Sequence, residues 1–440
     1  MRKLSLLVLV AACGNDAKTI NDAAKAIDTK DIDAAVTSPN CTPSGSTGKV
    51  TVDGPSSTSP IQVTFVVQDP SGAVVSRSAV MGADATAMLD VPACGMVTVV
   101  DTGGTEPHAL TWTGVQPGDH LLHLNRTTAG TPHAVSVQLA AATGATAYQV
   151  LATCSPNHLS GTSSTTATTV TLNPQCTGTS VSVLVTTTAQ SGAQMALMTV
   201  PLAASGTTNI AITGYQTPAT STVTAHDLGT FTSATYATLL QQSGNLLALG
   251  QSNMAVTNGA ATLAAPKLDG AGDIQVQIVN APSGMNEHTA LILRGVAAIP
   301  ATLDVSAADF LPEVDGSVDA NTRPTVTWST AAPIAGALAL FEVRMGIAQW
   351  NLIAPAVPGT VKYPDLPADL WTAATPILFG VADFESPDVT TYAANNLATL
   401  LVTLPAAGHQ VRISTQQAGS SARVTPTARA PQSSWLPSRW

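Results

Sequence analysis

Short runs of small and β-branched residues, each closed by proline or glycine, recur along almost the whole chain. Residues 61–69 begin with alternating apolar and polar side chains and stop at Pro70-Ser71-Gly72, a turn sequence. The 33 glycines and 29 prolines punctuate the chain at intervals of about ten residues, which is the spacing of strands in β-sandwiches. Valine and threonine also fit a pleated sheet well. The pattern predicts an all-β protein built from tandem antiparallel β-sandwich domains.

The length of the chain predicts several such domains. At 440 residues, and about 150 residues for a domain, about three are expected. Breaks in the strand rhythm predict a signal peptide (1–12), a flexible tether (13–40), four β-sandwiches (41–128, 129–225, 226–312 and 313–416) and a disordered tail (417–440). The boundary between the second and third sandwiches is the least defined, because residues 226–312 either form a third sandwich or complete the second.

The chain begins with the sequence MRKLSLLVLVAAC. Arg2 and Lys3 precede a short apolar run, residues 4–10, which is much shorter than the roughly 20 residues that a membrane-spanning helix needs. Two small residues and then Cys13 follow, which is the order of a cleavage site. The segment Val10-Ala11-Ala12-Cys13 resembles the lipobox of bacterial lipoproteins. That resemblance implies cleavage before Cys13 and lipidation of its side chain. The alternative is a plain secreted protein that is cleaved near Ala12.

The residues after the lipobox bear on localisation and partners. Gly14 follows Cys13, and in enteric lipoproteins the lack of aspartate there permits sorting to the outer membrane. The expected partners are therefore the membrane, through the N-terminal lipid, and envelope proteins or polysaccharide. The formal net charge of -10 and the lack of a basic patch with interleaved aromatic residues disfavour nucleic acid as a partner. No cofactor and no metal are expected from the sequence.

Four cysteines remain when Cys13 is set aside. An even number of cysteines in an exported chain predicts two disulfides. Three pairings are possible, and the favoured one joins Cys41 to Cys94 and Cys154 to Cys176, because each pair then lies within one predicted domain. The spacings are unlike the CxxC pairs of zinc sites, so a metal site is the weaker alternative.

Two of the predicted sandwiches have recognisable strand patterns. Residues 63–72 and 85–100 resemble the carboxypeptidase regulatory-like modules of secreted proteins, which implies a small β-sandwich without enzymatic activity. Residues 129–225 contain seven candidate strands, the number found in an immunoglobulin-like sandwich. No tryptophan lies near the cysteine pair of this second unit, so its sequence favours sandwich architecture without showing membership of that superfamily.

The fourth unit, 313–416, contains more aromatic residues than the others. Its order of features resembles a fibronectin type III module, with Trp328 in an early strand, Val343 in an alternating strand, and Tyr363 and Leu366 at a corner. Phe379 stands where that family has a later tyrosine. The resemblance implies a module that binds partners or acts as a spacer.

One segment has the pattern of a catalytic motif. Gly250-Gln251-Ser252-Asn253-Met254 follows an aliphatic run and resembles the nucleophile block of SGNH hydrolases, in which the serine attacks an acetyl ester. Gly284-Met285-Asn286-Glu287 resembles the oxyanion block of the same superfamily. That superfamily places its base in a D-x-x-H motif, which this chain lacks; neither His288 nor His409 stands in it. An SGNH-type carbohydrate esterase is therefore the alternative, and a non-catalytic structural or binding protein is the prediction.

Two other groups of polar residues were candidates for metal binding. His120 and His123 are three positions apart in a candidate strand, so they point to opposite faces and are expected to be exposed edge histidines. Asp315, Asp319 and Asn321 partly match a calcium loop, but they lack its terminal glutamate and its glycine offset. A linker between domains is the prediction for that segment.

Overall fold

The computed structural model describes residues 41–419 except 42–43, 102–107, 124–129, 156–157, 190–191, 230, 243–244, 281–285, 312–313, 320–322, 331–336, 346–347, 356–358, 372–377 and 386–408. The predicted signal peptide, Cys13, the tether and residues 420–440 of the predicted tail lie outside this part. The described chain is nearly all β-strand, which confirms the predicted all-β sandwich class. It contains one 3-10 helix, Ala307–Asp309, and no helix long and apolar enough to cross a membrane.

The first sandwich is built around one long, bent hairpin. Its strands are β1 (Thr47–Gln68), β2 (Val74–Pro92), β3 (Gly95–Asp101), β4 (His108–Val115) and β5 (His120–Leu122). The first half of β1 pairs with β5, and the second half pairs with β3. On its other side, β1 pairs with β2 along both halves. Register shifts between Asp53 and Ile61 interrupt the pairing where the hairpin bends. One hairpin therefore contributes to both layers of this sandwich.

The second sandwich consists of two small sheets with a shared apolar core. Its strands are β6 (Thr131–Pro132), β7 (Val135–Leu139), β8 (Ala145–Ser155), β9 (His158–Thr165), β10 (Thr169–Leu172), β11 (Gln175–Cys176), β12 (Ser180–Ala189), β13 (Met195–Pro201) and β14 (Thr208–Ile212). The layers have the orders β10-β7-β14 and β13-β12-β8-β9, and β6 pairs with β11. Side chains of β7 and β14 alternate between buried and more exposed positions, as expected of strands with one face on a core.

The third sandwich begins earlier than the sequence predicted. Its strands are β15 (Ala219–His226), β16 (Ser233–Gln242), β17 (Asn245–Ala255), β18 (Ala261–Lys267), β19 (Gly272–Asn280), β20 (Asn286–Val296) and β21 (Thr302–Ser306). The order β18-β15-β21 forms one layer, and β17-β16-β19-β20 forms the other. The expected break between residues 225 and 226 falls inside β15, whose partners among the described strands are β18 and β21 of this third unit.

The fourth unit contains the remaining seven strands. They are β22 (Val314–Asp319), β23 (Thr325–Thr330), β24 (Ala337–Met345), β25 (Ala348–Pro355), β26 (Gly359–Lys362), β27 (Leu378–Glu385) and β28 (His409–Gly419). The order β22-β23-β26 forms a small sheet, and β28-β27-β24-β25 belongs to a larger one. Residues 315–319, predicted as a linker, instead lie in β22 and pair with β23.

Strands of the first, third and fourth units are hydrogen-bonded into one sheet of 13 strands. Its order is β17-β16-β19-β20-β28-β27-β24-β25-β4-β3-β1-β2, with β5 added on β1. Antiparallel pairing of β20 with β28 joins the third unit to the fourth, and parallel pairing of β25 with β4 joins the fourth to the first. The sequence did not predict this continuity, nor the four parallel pairs that the described strands contain.

A row of buried polar side chains also joins the first unit to the fourth. The Gln68 amide lies 3.0 Å from Thr98 Oγ1, and Thr98 and Thr111 share a hydroxyl hydrogen bond of 2.8 Å. The indole of Trp350 donates to Thr111 Oγ1 at 2.9 Å, although these residues are 239 positions apart. Each group is buried, so its hydrogen bonds offset the cost of removing it from water. The row therefore fixes the packing of four adjacent strands.

Candidate functional site: an apolar cleft at the edge of the large sheet

The four described cysteines form two disulfides in the pairing that the sequence favoured. The first joins Cys41 to Cys94, with a Cα–Cα distance of 5.6 Å, and the second joins Cys154 to Cys176, with 4.9 Å. Both distances lie in the usual range for a disulfide. Each bond lies within one sandwich, so both stabilise individual units rather than the connections between them.

Ser252 lies in the middle of a strand. It is part of β17, opposite Tyr236 of β16, and its hydroxyl accepts a hydrogen bond of 3.1 Å from the Ala264 amide. The strand-to-helix turn that presents the serine in the resembled hydrolases has no counterpart here, because the described chain contains no α-helix. Residues 284 and 285 of the second motif lie outside the described part. No observation in the described chain favours the esterase alternative.

The structure places His120 and His123 in different environments, one exposed and one buried. His120 is exposed on β5, and its Nε2 lies 2.9 Å from Asp53 Oδ2, while Thr86 donates to the other carboxylate oxygen at 2.8 Å. His123 is only 4% exposed, so its predicted position on an exposed edge is wrong. Burial, together with the electrostatic effect of the nearby His108, lowers the pKa of His123 to about 3. His123 is therefore neutral in the folded protein near pH 7.

A second exposed histidine lies between two carboxylates. His226, at the end of β15, has its Nδ1 2.7 Å from Asp227 Oδ2 and its Nε2 3.5 Å from Asp304 Oδ2. The hydrogen bond to Asp227, helped by the charges of both aspartates, raises the pKa of His226. No group of three or more histidine, cysteine, aspartate or glutamate side chains in the described chain is arranged to hold a metal ion.

The bend of the β1–β2 hairpin creates an apolar cleft. Thr47 and Pro92 lie at one end of the hairpin and Val67 and Ser76 lie near the other, yet all four line the same cavity of 380 Å³. In a straight strand, residues 47 and 67 would be about 65 Å apart at the usual rise per residue. The two halves of the hairpin therefore face each other across the open side of the first sandwich, with the cleft between them.

The cleft has an apolar floor and an apolar rim. Phe65 and Val67 of β1 and Leu89 of β2 form the floor, and all three also belong to the core of the first sandwich. Val75 and Met88, from opposite halves of β2, line the cleft and are 55% and 66% exposed. The exposed apolar surface of the cleft is therefore that of Val75 and Met88, and the core residues Phe65, Val67 and Leu89 lie buried beneath it.

Exposed large apolar side chains are concentrated on the edges of the large sheet. Five such residues occur in the described chain: Val74, Val75, Met81, Met88 and Met254. The first four belong to β2 and the fifth to β17, and these two strands are the opposite ends of the 13-stranded sheet. Proteins usually protect such edges with charges, proline or bulges. Within the described residues, the concentration of apolar side chains on β2 is therefore the strongest indication of a binding surface.

The charges around the cleft are paired with each other. Lys49 contacts Asp90 at 2.8 Å, and Arg77 contacts Asp369 of the fourth unit at 2.8 Å. Both pairs are exposed to solvent, so each contributes little to stability. Their positive and negative charges compensate, which leaves the rim without an excess of either sign.

Sequence reasoning did not identify this cleft. Nothing in residues 74–92 alone indicates the cleft, because the bend depends on irregular pairing between residues 53 and 61 of the preceding strand. Val74-Val75, Met81 and Met88 were visible as apolar residues, but their exposure depends on β2 being the last strand of the sheet. One usable signal was the low charge of the stretch 78–83, which is unusual for an edge strand.

No protein-family model and no curated protein matches this chain. The class of protein is thus defined by the fold and the site alone. It is an all-β protein of packed sandwiches with two disulfides and an apolar cleft at one edge of its largest sheet.

Proposed function

We propose that this chain is an exported, lipid-anchored protein of the bacterial cell envelope that binds a partner and does not catalyse a reaction. The lipid would be attached to Cys13 and would hold the protein in the outer membrane. Residues 14–40 would then act as the tether between the lipid and the sandwiches. Envelope proteins or polysaccharide are the partner classes that such a location makes available.

The two disulfides support the export part of the proposal. Disulfides form and persist in oxidising compartments and are rare in the reducing cytosol. The pairs Cys41–Cys94 and Cys154–Cys176 use all the cysteines of the chain except Cys13. The two disulfides thus account for every cysteine other than Cys13, which is consistent with a separate role for that residue.

The observation that carries the binding role is the apolar edge of β2. Four of the five exposed large apolar side chains of the described chain lie on that strand, and two of them, Val75 and Met88, line the cleft. A concentration of exposed apolar side chains on one edge strand is typical of a surface that a partner covers.

Two experiments test the two parts of the proposal. Cys13→Ala should move the protein from the membrane fraction to the soluble fraction of the cells, and an unchanged membrane location would contradict lipid anchoring at this residue. For the binding role, cross-linking in intact cells should give a defined adduct that Met88→Lys weakens and Met254→Lys retains. Equal adducts from all three proteins would contradict a binding role for the β2 edge.

A further inference from the structure

We propose that the cleft binds an extended, uncharged polypeptide segment of a partner protein, which adds to the edge of β2 as a further strand. This inference rests on the proposed binding function and specifies its ligand. Among the described strands, β2 pairs only with β1 and ends the sheet. Its residues 75–78 and 88–90 line the two sides of the cleft. An extended segment beside either half of β2 would meet main-chain donors and acceptors of an edge strand.

The shape of the cleft fits the side chains of such a segment. Alternate residues of a strand point to the same face, so every second side chain of the added segment would face the cleft, where Val75 and Met88 are the exposed apolar side chains. The volume of 380 Å³ lies near the lower end of the usual range for ligand sites. It accommodates a few aliphatic side chains rather than a bulky folded element.

The charges of the rim favour an uncharged segment. The two charged residues that line the cleft, Arg77 and Asp90, already contact Asp369 and Lys49 at 2.8 Å. The lining therefore has no excess charge of either sign that would attract an acidic or a basic ligand, whereas a segment of valine, threonine and serine needs no such charge. Electrostatic complementarity gives charged peptides no advantage at this cleft.

Polypeptide fits this cleft better than the polysaccharide that the cell envelope also offers. Among the residues lining it, Phe65 is the single aromatic side chain and is fully buried, so no exposed aromatic face is available for stacking. The lining polar groups are the serine and threonine hydroxyls, the Arg77–Asp369 and Lys49–Asp90 ion pairs, and the main chain of an edge strand. A main-chain edge beside the exposed apolar side chains Val75 and Met88 matches the backbone and side chains of a peptide.

The test uses the full-length protein, purified in detergent, and a fluorescent peptide with the sequence Ser-Val-Thr-Val-Thr-Val-Ser, blocked at both ends. Fluorescence anisotropy should show saturable binding. Replacing the valines of the peptide by lysine should weaken binding by about tenfold or more, since the exposed side chains Val75 and Met88 that line the cleft are apolar. In an added strand, alternate N–H groups point to the edge. The N–H groups of the valines or those of the threonines would therefore donate to the edge, but not both sets. N-methylation of the set that donates should weaken binding by about tenfold, and N-methylation of the other set should weaken it less.

Variants of the protein locate the binding site. Met88→Lys and Val75→Lys change exposed rim residues on opposite halves of β2, and both should weaken peptide binding by about tenfold. Met254→Lys is the matched control, because Met254 is similarly exposed but lies on β17 at the other end of the sheet. It should bind the peptide as the unchanged protein does. Circular dichroism and the melting temperature check that each variant is folded.

Several results would overturn the proposal. An equal loss of peptide affinity in Met88→Lys and Met254→Lys would show that the peptide binds elsewhere. Equal affinities of the valine-methylated and the threonine-methylated peptides would exclude strand addition. Absence of peptide binding by the folded protein would also overturn it. In that case, a concentration-dependent dimer in sedimentation velocity that Met88→Lys dissociates would identify a second copy as the occupant. The peptide assay is independent of membrane location, so a failure of the Cys13→Ala experiment is distinguishable from a failure here.

Discussion

His123→Leu should make the first sandwich less sensitive to acid. His123 follows β5, is 4% exposed, and its amide donates to the Asp53 carbonyl at 2.8 Å. Burial, with the added effect of His108, lowers its pKa from 6.5 to about 3 in the folded protein. The unfolded chain therefore binds a proton at this position at a higher pH than the folded chain does.

The size of this effect follows from the two pKa values. The neutral imidazole contributes its full stability above the unfolded pKa of 6.5, and that stability is lost as the pH falls towards about 3. One pKa unit corresponds to about 1.4 kcal/mol, so the lost free energy of unfolding is about 2 kcal/mol at pH 5 and about 3 kcal/mol at pH 4. Leucine cannot bind a proton, so the variant should lack this part of the acid dependence.

Urea unfolding at pH 7.5, 5 and 4, followed by tryptophan fluorescence, measures the difference. The variant is expected to lose less free energy than the unchanged protein between pH 7.5 and pH 5, by about 2 kcal/mol, whatever its stability at pH 7.5. His226→Gln is the control with the opposite sign. The pKa of His226 is raised by its hydrogen bond to Asp227 and the charges of both aspartates, so its contribution is present at low pH and is lost as the pH rises through the folded pKa.

A direct measurement can refute the reasoning. Imidazole NMR signals of His123 should remain those of the neutral ring at pH 5 in the folded protein. If the ring instead titrates near 6.5, or if the leucine variant keeps the full acid dependence, then burial of this side chain does not control its protonation.

Three other changes test the packing and the covalent connections. Trp350→Phe removes the indole donor at the end of the buried polar row and should cost about 1 kcal/mol more in urea unfolding than Trp371→Phe, whose indole N–H has no hydrogen-bond partner in the described chain. Gly272→Ala should destabilise by about 1–3 kcal/mol, because a Cβ there would collide with the Leu239 carbonyl, whereas Gly214→Ala meets open space and should be neutral in the same assay. Replacing both cysteines of the second disulfide by serine should cost about 3 kcal/mol, as its sequence separation is 22 residues, and a stability unchanged within 1 kcal/mol would contradict the loop-entropy argument.

Local features of the fold could be predicted from the sequence. Alternation in residues 135–139 specified β7, and the turn at Pro70-Ser71-Gly72 lies between β1 and β2. The Asp69 carboxylate accepts hydrogen bonds from the amides of Ser71 and Ala73, which is the side-chain bonding expected of aspartate at a turn. These features depend on neighbouring residues only, so the sequence contains enough information to specify them.

Features that depend on distant residues could not be predicted. The parallel pairing of β4 with β25 joins segments that share no local signal, and nothing in residues 219–226 indicates that β15 belongs to the following sandwich rather than the preceding one. The burial of His123 and the exposure of Met88 likewise depend on which strands lie beside them. The cleft was missed for the same reason, because it forms only when the two halves of the hairpin face each other.

The position of β28 inside the large sheet has a consequence for biogenesis. A chain that emerges from the ribosome or crosses a membrane from its N-terminus delivers β20 and β4 long before β28 and β25, their neighbours in the sheet. Until β28 and β25 are available, β20 and β4 therefore each have one edge without its partner strand. Late pairing of strands that are distant in sequence slows folding. Truncation before residue 409 would leave β20 and β27 without the strand between them. Fragments that stop at an apparent domain boundary should thus be prone to aggregate, and the full-length chain is the unit to express.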